Sequence, residues 1–247
     1  MITAEIYKQK GGKIVGFVFR GHSESGGGHG YNIRCAEVSA LSQTAYLGIK
    51  RYLNRAVAVE NHEHGGLGLE LKDSPDDLTE VIFQAMLIGL KSVEEVAPAV
   101  VKVSVIELDK TAEENLQSQV VHMKPTPVKP LPAVNVEKVK LRANIYRDDA
   151  GKIIGFSVKE RKTEIIDGLK IYCAAVWILG KATFHCVKNY LKRDLKTEID
   201  SHRLMVRLKT SPDDVTEAIF QTLLIGMTEL EKIAPQIIKV GEITSRR

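Results

Sequence analysis

Cysteine is scarce in this 247-residue chain. Cys35, Cys173 and Cys186 are an odd number and show no metal-ligand spacing. That argues against a disulfide framework and fits a reducing compartment with one thiol kept for chemistry. No stretch approaches the roughly 20 apolar residues of a membrane span. The opening run Met1-Ile2-Thr3-Ala4-Glu5-Ile6 alternates apolar and polar residues, unlike the basic-then-apolar form of a signal peptide, so the expected location is the cytoplasm. There is no phosphate loop and no dinucleotide fingerprint. His62-Glu63-His64 sits at an expected hairpin turn with no third ligand nearby, so neither a metal nor a cofactor is expected.

What is present is ordinary globular material in an unusual order. Hydrophobic residues make up 44% and charged residues 27%, and the length suits two domains rather than one. The chain repeats itself at an offset near 138. Gly12-Lys13-Ile14-Val15-Gly16-Phe17 returns as Gly151-Lys152-Ile153-Ile154-Gly155-Phe156, and Ser74-Pro75-Asp76-Asp77 returns as Ser211-Pro212-Asp213-Asp214. Ile82-Phe83-Gln84, Leu87-Ile88-Gly89 and Ala97-Pro98 recur likewise, so the two halves share a fold.

Each half reads as ββαββαβ. Alternation at Ile2, Ala4 and Ile6 predicts a first strand, and a second covers about residues 13–20. A glycine-rich loop follows over 21–30. A helix is expected over about 35–53, with Val38, Leu41, Ala45, Ile49 and Leu53 on one face. Ala56–Glu60 and Leu67–Leu71 read as a hairpin around His64-Gly65-Gly66. Ser74 is expected to cap the second helix, with Pro75 at its first position and Asp76 and Asp77 favouring the positive end of the dipole. Pro98 marks the helix end, and Val101, Val103 and Val105 form a last strand.

The fold class is therefore α+β: two repeated units, each a mainly antiparallel β-sheet covered by two helices. The expected limits are a first unit at 1–109, a proline-rich linker at 110–137 and a second unit at 138–247. The linker, with four prolines between Pro125 and Pro132, reads as an extended spacer long enough to let the units dock side by side.

Charge is unevenly placed. Residues 1–110 hold 12 Lys and Arg against 14 Asp and Glu, whereas residues 138–247 hold 21 against 14. The basic half suits an acidic partner such as RNA, although a solvated basic surface accounts for it as well.

The chemistry concentrates in Gly21-His22-Ser23, a run of glycines (Gly26, Gly27, Gly28, Gly30), and then Tyr31-Asn32-Ile33-Arg34-Cys35-Ala36-Glu37-Val38-Ser39. Cys35 falls at a helix start, where backbone N–H groups and the dipole favour a thiolate. His22 leaves a strand for the loop and could fold back beside Cys35. An imidazole next to a thiol is the least apparatus an activated sulfur nucleophile needs. The same N–H groups could receive a tetrahedral oxyanion. On residue types alone, a helix cysteine is more often a small core residue.

The motif adds to this. Gly-His, a short loop, then Gly-x-Asn-Ile-x-Cys-Ala-x-Val-Ser closely resembles the ribosomal-processing cysteine protease family, Prp, and the resemblance covers the whole first unit. It implies that His22 and Cys35 are the catalytic pair, with Gly21, Asn32 and Ser39 in support and the glycine loop closing over substrate. It also implies cytoplasmic homodimers that remove a short N-terminal extension from the twenty-seventh protein of the bacterial large ribosomal subunit. Asn32 stands where the family has Asp, and can orient an imidazole through its carbonyl oxygen but not stabilise an imidazolium by charge. Glu37 replaces a small residue, and its carboxylate would oppose a thiolate if it pointed toward the sulfur.

The second unit keeps Ile171-Tyr172-Cys173-Ala174-Ala175-Val176 but has Glu160-Arg161-Lys162 near the His22 position, Lys170 opposite Asn32 and Trp177 opposite Ser39. It reads as a degenerate copy that serves as an internal pseudo-dimer partner, with Trp177 crowding the groove. The rival reading is a non-catalytic ribosome-assembly or RNA-binding protein on the same fold.

Overall fold

A computed structural model describes residues 1–22, 32–62, 66–109, 141–161 and 170–244. The expected loop Ser25 to Gly30, the proline-rich linker and His64 lie outside the described residues.

The first unit builds β1 (Ile2–Lys8), β2 (Ile14–Arg20), α1 (Ile33–Leu47), β3 (Val57–His62), β4 (Gly66–Leu71), α2 (Asp77–Val96) and β5 (Val101–Glu107). The second repeats it with β6 (Leu141–Arg147), β7 (Ile153–Glu160), α3 (Lys170–His185), β8 (Leu195–Ile199), β9 (Arg203–Leu208), α4 (Asp214–Ile233) and β10 (Ile238–Thr244). The sheets run β3-β4-β2-β1-β5 and β10-β6-β7-β9-β8. In each, three pairings are antiparallel and the last strand lies parallel to the first. Alternation decides which face is buried: Ile2, Ala4, Ile6, Phe17 and Phe19 point to the helices. Phe17 meets Phe83 edge-on at 6.1 Å, and Phe156 meets Phe220 at the same 6.1 Å, so sheet and helix lock identically in both units.

The helix starts differ from the expected ones. The cap of α2 is Asp76, not Ser74, and Pro75 precedes the helix. The Asp76 carboxylate accepts the Thr79 N–H at 2.8 Å while the Thr79 hydroxyl accepts the Asp76 N–H at 2.9 Å. That reciprocal pair needs a three-residue reach, which Ser74 lacks. Asp213 and Thr216 repeat the side-chain cap on α4. The expected single helix 35–53 is α1 followed by a π-helical turn, Gly48–Tyr52, and α3 continues in the same way into Cys186–Tyr190.

Burial pushes the Asp76 carboxyl up, but the Thr79 N–H and hydroxyl and the Arg55 guanidinium outweigh it and hold the group below its ordinary value. Asp213 is held low likewise by Thr216 and Arg193. A carboxyl with a depressed folded-state pKa stabilises the fold above the unfolded value near 4 and loses that contribution as pH falls through the folded one. Urea unfolding of Asp76→Ala at pH 7 should show a loss of about 1 kcal/mol. The difference from the parent should shrink as pH drops below about 4. A constant difference down to pH 2 would contradict this account.

The helical layers of the two units face each other. A Cβ on Gly226 would lie 2.3 Å from Thr44 Oγ1, and one on Gly48 would lie 2.4 Å from Thr222 Oγ1. A Cβ on Gly89 would lie 3.0 Å from that of Ala182. Under the repeat offset Gly226 corresponds to Gly89 and Thr44 to Ala182, so these contacts are reciprocal, as across a two-fold axis. Arg51 pairs with Glu229 at 2.7 Å, and the Cys186 thiol donates to the Val81 carbonyl at 3.7 Å. Buried residues of both units form one continuous apolar cluster. Among the described residues, no helix is long and apolar enough to cross a membrane.

Candidate active site

The site is built at the start of α1. Asn32 is the helix cap, and its side-chain oxygen accepts from the N–H of Arg34 at 2.8 Å and of Cys35 at 3.4 Å. The Ala36 N–H bonds the Asn32 carbonyl at 3.1 Å. Cys35 is therefore the third helical residue, half-buried, with its sulfur on the first turn. The cap is a neutral amide, so no carboxylate charge stands at this helix end to oppose a thiolate.

Two expectations change. The N–H groups offered to an oxyanion are engaged at Arg34 and Cys35 by Asn32. Glu37 is buried and turned into an ion pair with Arg34 at 2.6 Å, so its charge is balanced instead of facing the sulfur alone. Sequence reasoning passed over Arg34, although the Arg-to-Glu spacing of three residues is the signal for such a helix pair. Ser39, one turn after Cys35, is exposed, and its carbonyl accepts from the Ser42 hydroxyl at 3.2 Å.

Gly21 has φ +82, and a Cβ there would lie 2.4 Å from the Met1 carbonyl oxygen. Only glycine fits both the left-handed backbone and the close approach. The Met1 α-amino group donates to the His22 carbonyl at 3.0 Å, tying the end of β2 to the start of β1. His22 is exposed at that point. Among the described residues, no hydrogen bond joins its imidazole to Cys35. Gly26, Gly27, Gly28 and Gly30 lie outside the described residues, and no group of three or more candidate metal ligands occurs among those described.

Residues 1–102 match the family model for the cysteine protease Prp. The first unit is similar to the Prp family. A ribosomal processing cysteine protease Prp from Staphylococcus aureus is 28% identical over 96 residues, 38% of this chain and 90% of that protein. Two structures of an essential S. aureus Prp resemble the chain over 43% of its length and all of theirs. The one with a covalently linked product peptide is 24% identical at a TM-score of 0.40. The one with a substrate peptide is 23% identical at 0.39.

The corresponding corner of the second unit is built differently from that of the first. Cys173 is buried, at 6% exposure, where Cys35 is half-buried. Trp177, at the Ser39 position, donates its indole N–H to Glu160 at 2.9 Å, and Lys181 lies 5.9 Å from the Trp177 ring. A bulky ring thus fills what is an exposed serine in the first unit. Cys186 is fully buried against the first unit, and burial pushes its thiol up to about 12.

Native alkylation should therefore mark one thiol. Intact-mass analysis after brief iodoacetamide treatment at pH 7.5 is expected to show a single adduct at Cys35. Three adducts should appear only in denaturant. Early modification of Cys173 or Cys186 in the native chain would contradict the burial described.

Proposed function

We propose that the first unit is a cysteine endopeptidase that removes the N-terminal extension of a bacterial large-subunit ribosomal protein, the twenty-seventh, in the cytoplasm. Cys35 is its nucleophile and His22 its base. The observation that carries this reading is Cys35 itself: a half-buried thiol on the first turn of a neutrally capped helix, inside the segment that matches the Prp family. The thiolate adds to the scissile carbonyl, and the imidazolium of His22 protonates the departing amine. Water, deprotonated by His22, then hydrolyses the thioester and frees the sulfur. Asn32 holds the helix start, and exposed Ser39 lines the approach to the sulfur.

The proposed limits are 1–109, 110–137 and 138–247. The second unit acts as an internal partner and not as a second protease. Supporting this are the reciprocal glycine contacts between helical layers and the Trp177–Glu160 bond over the equivalent corner. Linkage within one chain raises the partner's effective concentration to about millimolar, so weak docking suffices.

The test is a peptide spanning the extension junction, with a bulky hydrophobic residue before the cut and a small one after it, incubated with the full chain and followed by mass spectrometry. A single cut at that junction is expected. The His22→Ala chain should lose cleavage and alkylate more slowly at neutral pH. Alkylation unchanged by His22→Ala would remove His22 from thiol activation, and an uncut peptide would overturn the proposal.

A further inference from the structure

The excess positive charge of the second half has a definite location. In the second sheet, residues that point away from the helices align across strands: Lys239 pairs with Arg142, Arg142 with Lys159, and Lys159 with Arg203. Three cations, Arg142, Lys159 and Arg203, therefore stand side by side on β6, β7 and β9, spanning about 10 Å at ordinary strand spacing, and Lys239 continues the row at the sheet edge, where its ammonium meets Glu231 of α4. Four residues further along the same face, Arg207 pairs with Lys196. The Arg207 guanidinium lies 5.2 Å from the Tyr146 ring. Arg142, Lys159, Lys196 and Lys239 are exposed. Arg203 meets Glu198 at 2.9 Å and Lys239 meets Glu231 at 2.8 Å.

The same positions in the first sheet hold a different set. The registers place Thr3 where Arg142 stands, Glu5 where Asn144 stands, Glu70 where Arg207 stands and Ala58 where Lys196 stands. Its Arg20 is already paired with Glu5 at 3.0 Å. The outer face of the second sheet therefore carries cations at Arg142, Arg207 and Lys196, where the first sheet has Thr3, Glu70 and Ala58.

We infer that the outer face of the second sheet binds the phosphate backbone of RNA. A flat face of Lys and Arg answers a regular line of phosphates, and each contact releases counterions. Asn144 and the Tyr146 ring lie between the two cation groups, half-buried and anchored on the buried Ser157 hydroxyl at 3.5 and 3.0 Å, so that an amide and an aromatic ring stand at the surface between the cations. The binding is sequence-tolerant, since every cation addresses phosphate rather than a base edge. This inference does not rest on the protease reading, and peptide cleavage is measured separately in the same samples.

The experiment is fluorescence anisotropy of the full chain with a labelled 20-nucleotide single-stranded RNA across a salt series. For about four phosphate contacts, log K should fall against log salt with a slope near −3. The exposed pair Arg142→Glu and Lys159→Glu should weaken binding by about tenfold or more and make the slope shallower by roughly 1.5. The first-unit pair Lys10→Glu and Lys102→Glu changes net charge equally and should leave affinity within about threefold. Three results would each overturn the inference: no RNA binding at low salt, equal loss from the two pairs, or equally tight, Arg142-dependent binding to phosphatidylserine vesicles. The last would assign the face to a membrane surface.

Discussion

Replacing Cys35 with Ala is expected to abolish cleavage of the junction peptide, by about a thousandfold or more, while Cys173→Ala leaves it nearly intact. The size follows from the chemistry: without sulfur there is no covalent intermediate, and residual catalysis is limited to binding and polarisation. The contrast follows from the two sites, since Cys173 is buried at the Trp177 corner and Cys35 is not. Equal loss from both changes would sink the assignment of one nucleophile. Circular dichroism of each variant separates loss of chemistry from loss of fold, and Ala at helix position 35 is well tolerated by propensity.

Gly226→Val is expected to destabilise the whole chain by about 2–3 kcal/mol, because the added carbons meet Thr44 Oγ1, Cγ2 and Cβ of the other unit. Gly226→Ala is the sharper test, because the sign is at stake. On an open helix Ala stabilises by up to about 1 kcal/mol relative to Gly. With the helical layers docked, the first added atom already lies 2.3 Å from Thr44 Oγ1, so Ala should destabilise. Combining it with Thr44→Ala should recover about 1 kcal/mol, a coupling that separate units would not show. A stabilising Gly226→Ala with no coupling to Thr44 would mean that the units do not pack in solution as described.

Much of the architecture was legible because the repeat gave two readings of every element. Strict alternation at Ile2, Ala4 and Ile6 and helical spacing at Ile82, Ala85 and Gly89 each report a one-sided burial, which the sheets and helices impose. The α2 cap was misplaced by two residues because Ser74, Asp76 and Asp77 are all competent caps. Only the reach of Thr79 back to Asp76 selects among them. The parallel pairing of β5 with β1 has no local signal, since it depends on where α2 delivers the chain. At the site, the helix-start position of Cys35 could be read from periodicity. The use of Asn32 as its cap and the Arg34–Glu37 pair depend on side-chain directions that spacing alone leaves open. The cation row was invisible as a row, because its members come from four strands scattered between Arg142 and Lys239.

Joining two copies in one chain changes how a substitution is counted. In a two-fold pair of identical chains each replacement lands twice, and one near the axis meets its own image. Here Thr44 faces Gly226 while Ala182 faces Gly89, so a change on one side of the axis has no mirror on the other. Selection can therefore tune either half alone. A residue intolerable in duplicate can be kept once, and the two outer sheets are free to drift toward unrelated tasks. The glycine contacts that bring the helices together are what such drift must spare.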